Sequence, residues 1–229
     1  MKSIAIITAR GGSKRINNKN IKEFCGKPII SYPIQAALKA KCFDLVMVST
    51  DSDEIKDMAV QYGAEVPFMR SAESSDDYAT TSDVLFEVLG EYKKRKQYYT
   101  YMCCIYPTAP FVTAKKLEEA MQILCNTNAD SVIPVVPFSF PPQRGMVVTD
   151  GKVRFKYPEY TLLRSQDLEH IYHDCGQYYC VNVERFLQSG KVVMDNTKAV
   201  IMDEMEVQDI DNLADWKLAE LKYKFMLDK

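Results

Sequence analysis

The chain has 229 residues, with 29 Lys and Arg against 31 Asp and Glu for a net charge of −2; 47% of its residues are hydrophobic and 26% charged. These are the values of an ordinary globular protein, and they exclude a collagen, a coiled-coil rod and wholesale disorder. So even a balance also argues against a general nucleic-acid or membrane-surface binder, which is usually basic. The length fits one large domain spanning residues 1–229, enough chain to bury a substantial core. The seven Cys include no CxxC pair, and several sit in apolar runs, so free buried thiols in a reducing cytoplasm are expected. No apolar stretch approaches the ~20 residues of a membrane span, and no secretory signal pattern opens the chain.

In chain order, residues 3–9 (SIAIITA) form a short apolar, β-branched run that fits a strand buried on both faces. Residues 28–40 have helical spacing, with Ile30, Ile34, Ala37 and Leu38 on one stripe. Residues 45–50 read as a second strand, 53–62 as a helix stopped by Gly63, and 65–70 as a third extended piece. Residues 81–96 are helical with a basic last turn, 99–106 are a strand, 113–125 a helix capped by Thr113, and 129–136 a strand. This alternation predicts an α/β fold, a mostly parallel, doubly wound Rossmann-like sheet with helices on both faces. Residues 138–183 break the pattern with prolines, aromatics and an Asp150-Gly151 turn signal, and read as hairpins and loops inserted over the sheet edge. Residues 198–202 read as a further strand, and 212–225 as an amphipathic helix carrying Trp216, Leu218 and Leu221.

Ligands of open α/β sheets bind outside the carboxyl ends of the strands, so the loops there carry the functional signal. Residues 10–27 follow the first strand and hold six basic residues, Arg10, Lys14, Arg15, Lys19, Lys22 and Lys27, against the single acid Glu23. Gly11 and Gly12 allow close approach of backbone N–H groups, and the cations supply charge for a polyphosphate. The loop is neither a Walker A sequence nor GxGxxG, which disfavours a dinucleotide-binding oxidoreductase.

The opposite charge gathers near the other end. Residues 203–215 carry six acids, Asp203, Glu204, Glu206, Asp209, Asp211 and Asp215, and no base. In an extended segment Asp209 and Asp211 lie on one face and can hold a divalent cation; equally, the segment can be a solvated turn with Asp211 capping the last helix. His170 and His173, with Asp174 and Cys175 beside them, make only a lone HxxH, weak as a zinc signal. Cys25, Cys103 and Cys104 have no accompanying base and are read as structural.

The string Ala9-Arg10-Gly11-Gly12-Ser13-Lys14-Arg15, followed by Lys19-Asn20-Ile21 and Gly26-Lys27-Pro28, resembles the signature of the cytidylyltransferases that activate nine-carbon 2-keto sugar acids, the CMP-sialic acid synthetases and their relatives. The resemblance continues through Val48-Ser49-Thr50-Asp51, Glu65-Val66-Pro67-Phe68-Met69-Arg70, Thr108-Ala109-Pro110 and Asp209-Ile210-Asp211. Arg164-Ser165-Gln166-Asp167-Leu168-Glu169, then Tyr172-His173-Asp174 and Gly176-Gln177, is similar to the pseudaminic acid branch. Arg15 and Tyr106 stand where the sialic acid enzymes usually have Gly and a sugar-contacting Gln.

The resemblance implies transfer of CMP from CTP to pseudaminic acid with release of pyrophosphate, in service of surface glycans or glycosylated flagellin. A CMP-N-acetylneuraminate synthetase, or a CTP-binding regulatory protein without turnover, remains the alternative. Arg10, Gly11, Gly12, Ser13 and Lys14 would hold the triphosphate, and Lys19 would neutralise charge on the pyrophosphate side. Asn20 and Arg70 would contact the nucleoside; Thr81 and Ser82 would complete its pocket or cap a helix. Asp209 and Asp211 would hold Mg²⁺, and Asp211 would also orient or deprotonate the sugar hydroxyl. Gln143, Arg144, Arg164, Gln166, His173, Asp174 and Gly176 would form the sugar wall, with one of the two arginines on its carboxylate. A homodimer is implied, with residues 138–183 at its interface.

Overall fold

The computed structural model describes residues 1–227; residues 228 and 229 of the 1–229 span lie outside the described residues. In chain order the elements are β1 (Ser3–Thr8), β2 (Glu23–Phe24), β3 (Lys27–Pro28), α1 (Ser31–Lys39), β4 (Leu45–Ser49), α2 (Asp53–Gln61), α3 (Thr81–Lys94), β5 (Tyr101–Ile105) and α4 (Ala114–Asn126). They continue with β6 (Ser131–Pro137), β7 (Met146–Thr149), β8 (Lys152–Phe155), β9 (Tyr172–Asp174), β10 (Tyr178–Asn182), α5 (Val183–Ser189), β11 (Thr197–Ile201) and α6 (Leu213–Leu227).

The central sheet has seven strands, ordered β11-β6-β10-β5-β1-β4, with β9 also paired to β6. β4, β1, β5, β6 and β11 run one way and β10 and β9 run against them, so the sheet is mixed and mostly parallel. Alternation along β1 explains its unbroken apolar run. Ala5 and Ile7 join the core under α1 and α4, while Ile4 and Ile6 join the core under α3 and α5. Both faces are covered, as expected for parallel strands fed by helical crossovers.

The structure departs from the sequence reading in four places. Residues 65–70 are not a strand; Glu65 alone makes a parallel bridge, to Met47. Residues 178–182, read as part of an edge insertion, form β10 at mid-sheet between β5 and β6; the expected hairpin is confined to β7–β8. The reason is one interrupted strand. β9 and β10 both run along β6, broken at 175–177, where Gly176 takes φ +60° and the Tyr106 N–H reaches the Gln177 carbonyl. Leu38 is half-exposed, and on α6 Trp216 and Ala219 are buried while Leu218 and Leu221 face outward. That helix packs through a narrower stripe than its apolar content suggests.

A third, smaller core takes Ile16 and Phe24 from the basic loop and Ile210 from between the two aspartates. Phe24 at the β2–β3 turn meets Tyr32, Trp216 and Tyr223 edge to face at 5.5–5.6 Å. The turn residues Cys25 and Gly26 take φ 46° and 89°, as a two-residue hairpin requires. The hairpin ends the basic loop and α6 follows the acidic segment, so this cluster fastens the two oppositely charged segments together.

Candidate active site

A cleft of about 490 Å³ opens at the carboxyl end of β1 and β5, between Thr8, Arg70 and Tyr106. Arg10, Ser13, Lys14, Lys19, Asn20, Arg70 and Thr81, assigned to the nucleotide by resemblance, all line it. Each is held by a local interaction. Asn20 is buried, and its side-chain amide donates to the Arg10 carbonyl at 2.9 Å, fixing the start of the basic loop. Arg70 is buried, donates from Nε to Ser49 Oγ at 3.0 Å and also bonds the Ser49 carbonyl, so it braces the end of β4 while lining the cleft. Burial lowers its pKa, opposed by Asp51 and Glu87. Thr81 Oγ1 lies 3.3 Å from the Tyr106 hydroxyl.

Three residues assigned to the nucleotide, Gly11, Gly12 and Ser82, stand outside this cleft. The Gly11 N–H is spent on Asp51 Oδ1 at 2.8 Å, and a Cβ there would lie 3.1 Å from Ser52 Cβ; Gly11 therefore serves close packing against the β4–α2 turn. Gly12 is exposed, and a Cβ added to it meets nothing within 4 Å. Neither glycine lines the main cleft, nor does Ser82. The cap of α3 is Thr80, which forms a reciprocal capping box with Asp83; Thr81 and Ser82 lie inside the first turn.

The acidic pair stands against the basic loop. Lys19 Nζ donates to the Ile210 carbonyl, between the two aspartates, at 2.8 Å, and Arg15 Nη1 pairs with Asp211 Oδ2 at 2.8 Å. Burial lowers the Lys19 pKa, while Asp211 and Asp209 pull it upward. Burial and then the Asp211 charge raise that of Asp209, against the pull of Lys19. Asp211 is not the cap of α6. Asn212 Oδ1 accepts from the Ala214 and Asp215 N–H groups at 2.8 and 3.1 Å, leaving the Asp211 carboxylate to its cation. Neither aspartate lines the cleft, and among the described residues no group of three or more His, Cys, Asp or Glu side chains gathers around a metal position; the two carboxylates by themselves are hard oxygen donors of the kind a divalent cation such as Mg²⁺ takes.

The residues assigned to the sugar wall do not line the cleft. Gln143 is buried and donates to the Glu169 carbonyl at 2.8 Å, Arg144 bonds the Leu163 carbonyl, and Arg164 makes two bonds to Asp167 at 2.8 and 3.2 Å. Gln166 is exposed on the same segment. His173 lies on β9 with its ring 4.7 Å from that of Phe138. Asp174 is the link to the cleft: it accepts from the Gly176 N–H at 2.8 Å and from the Tyr179 hydroxyl at 2.6 Å, and Tyr179 packs 5.5 Å from Tyr106. Burial, then the bond to Asp174, raises the Tyr179 pKa, so its phenol stays protonated. Sequence reasoning missed Tyr179, Asp76 and Asp77. Tyr179 reads as one more strand aromatic, and the two acids as part of a polar loop, yet both acids line the cleft.

Comparison with known proteins identifies the family and the fold. A family model described as Cytidylyltransferase matches residues 4–207. The chain is 35% identical to the pseudaminic acid cytidylyltransferase of Campylobacter jejuni subsp. jejuni serotype O:2, over 98% of this chain and 97% of that one. It is 32% identical to the CMP-N,N'-diacetyllegionaminic acid synthase of Legionella pneumophila subsp. pneumophila, over 96% and 95%. Its fold matches that of a CMP:2-keto-3-deoxy-manno-octonic acid synthetase complexed with CTP, with a TM-score of 0.69 over 100% of both chains at 16% identity. The chain belongs to the cytidylyltransferase family.

Proposed function

We propose that the protein transfers CMP from CTP to the hydroxyl of a nine-carbon 2-keto sugar acid, pseudaminic acid, releasing pyrophosphate. One observation carries the reading: a strand-end cleft lined by Arg10, Lys14, Lys19 and Arg70, with Asp209 and Asp211 held against Lys19 at its side. The likeness to the pseudaminic acid enzyme over nearly the whole chain supports the choice of sugar.

Displacement of pyrophosphate from an α-phosphate needs little covalent help from the protein; positioning and charge stabilisation dominate. Arg10 and Lys14 bind phosphate oxygens, with Ser13 beside them. Lys19 faces the negative charge that grows on the departing pyrophosphate. Arg70, Asn20 and Thr81 shape the nucleoside end. Asp209 and Asp211 would hold Mg²⁺, with Arg15 giving up its pair to Asp211; the ion supplies charge neutralisation at the phosphate oxygens. Asp211 orients the sugar hydroxyl or takes its proton. The sugar acid lies beyond Tyr106, toward Asp174 and His173. Gln143 and Arg144 brace that wall through their backbone bonds, and Arg164 or Arg144 meets the sugar carboxylate by exchanging a present partner. The seven free thiols suit a reducing cytoplasm.

The double variant Asp209→Ala/Asp211→Ala separates an enzyme from a CTP-binding regulator. CTP binding that persists while pyrophosphate release falls at least about 100-fold supports the enzyme reading. Unchanged turnover in that variant would sink the role given to the two carboxylates.

A further inference from the structure

The cationic side of the cleft carries an internal anion. Asp77 spans Arg10 and Lys14, with one carboxylate oxygen accepting from Arg10 Nη1 at 3.2 Å and the other from Lys14 Nζ. Arg10 Nη1 also donates to the Asp76 carbonyl at 3.0 Å. One oxygen to each cation is how two non-bridging oxygens of a phosphate would engage them. The hydrogen bond and charge of Lys14, with a smaller contribution from Arg10, hold the Asp77 carboxyl below its ordinary range, so it is ionised at neutral pH.

The segment is built so that this carboxylate can leave. Its ends are fastened to α3: Ser71 donates to Glu87 through its N–H at 2.8 Å and its hydroxyl at 2.7 Å, and Thr80 is the helix cap. Between those anchors Asp76, Asp77 and Tyr78 are all exposed, Tyr78 at 91%. Besides the contacts to Arg10 and Lys14, the bonds there are local, from the Tyr78 and Ala79 N–H groups to Asp76 Oδ1 at 2.8 and 2.6 Å. The Asp77, Arg10 and Lys14 side chains are 49%, 39% and 73% exposed. Ion pairs made in water are weak, so an anion of higher charge can displace them.

We propose that Asp77 is a stand-in for phosphate, which competes with the nucleotide's triphosphate for Arg10 and Lys14 and swings out when the phosphates arrive. The inference rests on the reading of these two cations as triphosphate ligands. The exchange favours polyphosphates: a triphosphate brings more charge than the carboxylate it replaces, whereas a small anion merely exchanges like for like. The alternative, a carboxylate that organises the two cations and stays in place alongside the phosphates, predicts the opposite sign on removal.

The test is calorimetric titration of the full chain with CTP and with inorganic tripolyphosphate, at low and high salt. Asp77→Asn and Asp77→Ala are compared with Glu119→Gln, an equal charge change on α4, where Glu119 pairs with Lys116 at 3.6 Å. The expected result is about three- to tenfold tighter binding of both ligands by the two Asp77 variants, a gain that shrinks as salt rises, with Glu119→Gln unchanged. Binding that is unchanged or weaker in the Asp77 variants overturns the proposal, as does an equal gain in Glu119→Gln, which would mean a general charge effect. If the parent chain binds neither ligand, the triphosphate reading falls and this one with it. If the parent binds both and the Asp77 variants bind no tighter, only the stand-in role falls.

Discussion

Lys19 joins the two charged segments at a single atom, its ammonium reaching the Ile210 carbonyl between Asp209 and Asp211. Much of this level was legible in the chain, because cations clustered behind a strand end have few other uses. Asp77 was not, since nothing in a run of serines and acids says which one will face a cation across 63 residues. Glu87 shows why the neighbouring loop holds its place. Burial would raise its pKa, but hydrogen bonds from Ser74 and Ser71 and the charge of Arg70 outweigh that and lower it. A folded value below the unfolded one means a stabilisation that is full above the unfolded carboxylate range and is lost as pH falls through the folded value. Glu87→Gln should therefore lower stability at pH 7 by about 1 kcal/mol. In urea titrations the gap between parent and variant should close as the pH falls below about 4. A gap of the same size at both pH values would contradict this assignment.

At the scale of elements, the strands with unbroken apolar runs were readable because burial on both faces leaves that trace. β10 was hidden because its residues follow a proline-rich segment and because an antiparallel return into mid-sheet is a property of topology, not of local pattern. The sugar-wall residues share that segment, which is why resemblance named them while geometry does not bring them into the cleft. The joint between the β2–β3 hairpin and α6 depends on Trp216, which is buried against Phe24 and donates its indole N–H to Glu220 Oε1 at 3.2 Å. Trp216→Ala should cost about 3–5 kcal/mol, read by chemical denaturation. In the fraction that stays folded, turnover should fall more than stability alone explains, since the acidic segment loses its fastening to the basic loop. Wild-type turnover in folded Trp216→Ala would show that the cluster does not position the acids.

For the whole molecule, the net charge of −2 conceals a separation into one basic and one acidic segment, and the fold sets them side by side at the sheet's carboxyl end. The insertion leaves Phe140, Leu162, Val148 and Val153 exposed at 86%, 96%, 68% and 61%. A homodimer through residues 138–183, which the sequence resemblance implies, would cover these side chains. Light scattering on a sizing column should give twice the 26.2 kDa chain mass; a monomer at micromolar concentration would refute the dimer. The central claim, CMP transfer from CTP to pseudaminic acid, is tested most directly by pyrophosphate release with CTP and Mg²⁺ and each of three sugar acids: pseudaminic, N,N'-diacetyllegionaminic and N-acetylneuraminic. The account predicts turnover with pseudaminic acid at a kcat/KM at least about 100-fold above the other two, a margin of roughly 2.7 kcal/mol. Equal or faster turnover of either other sugar, or no pyrophosphate from any of them, would contradict it.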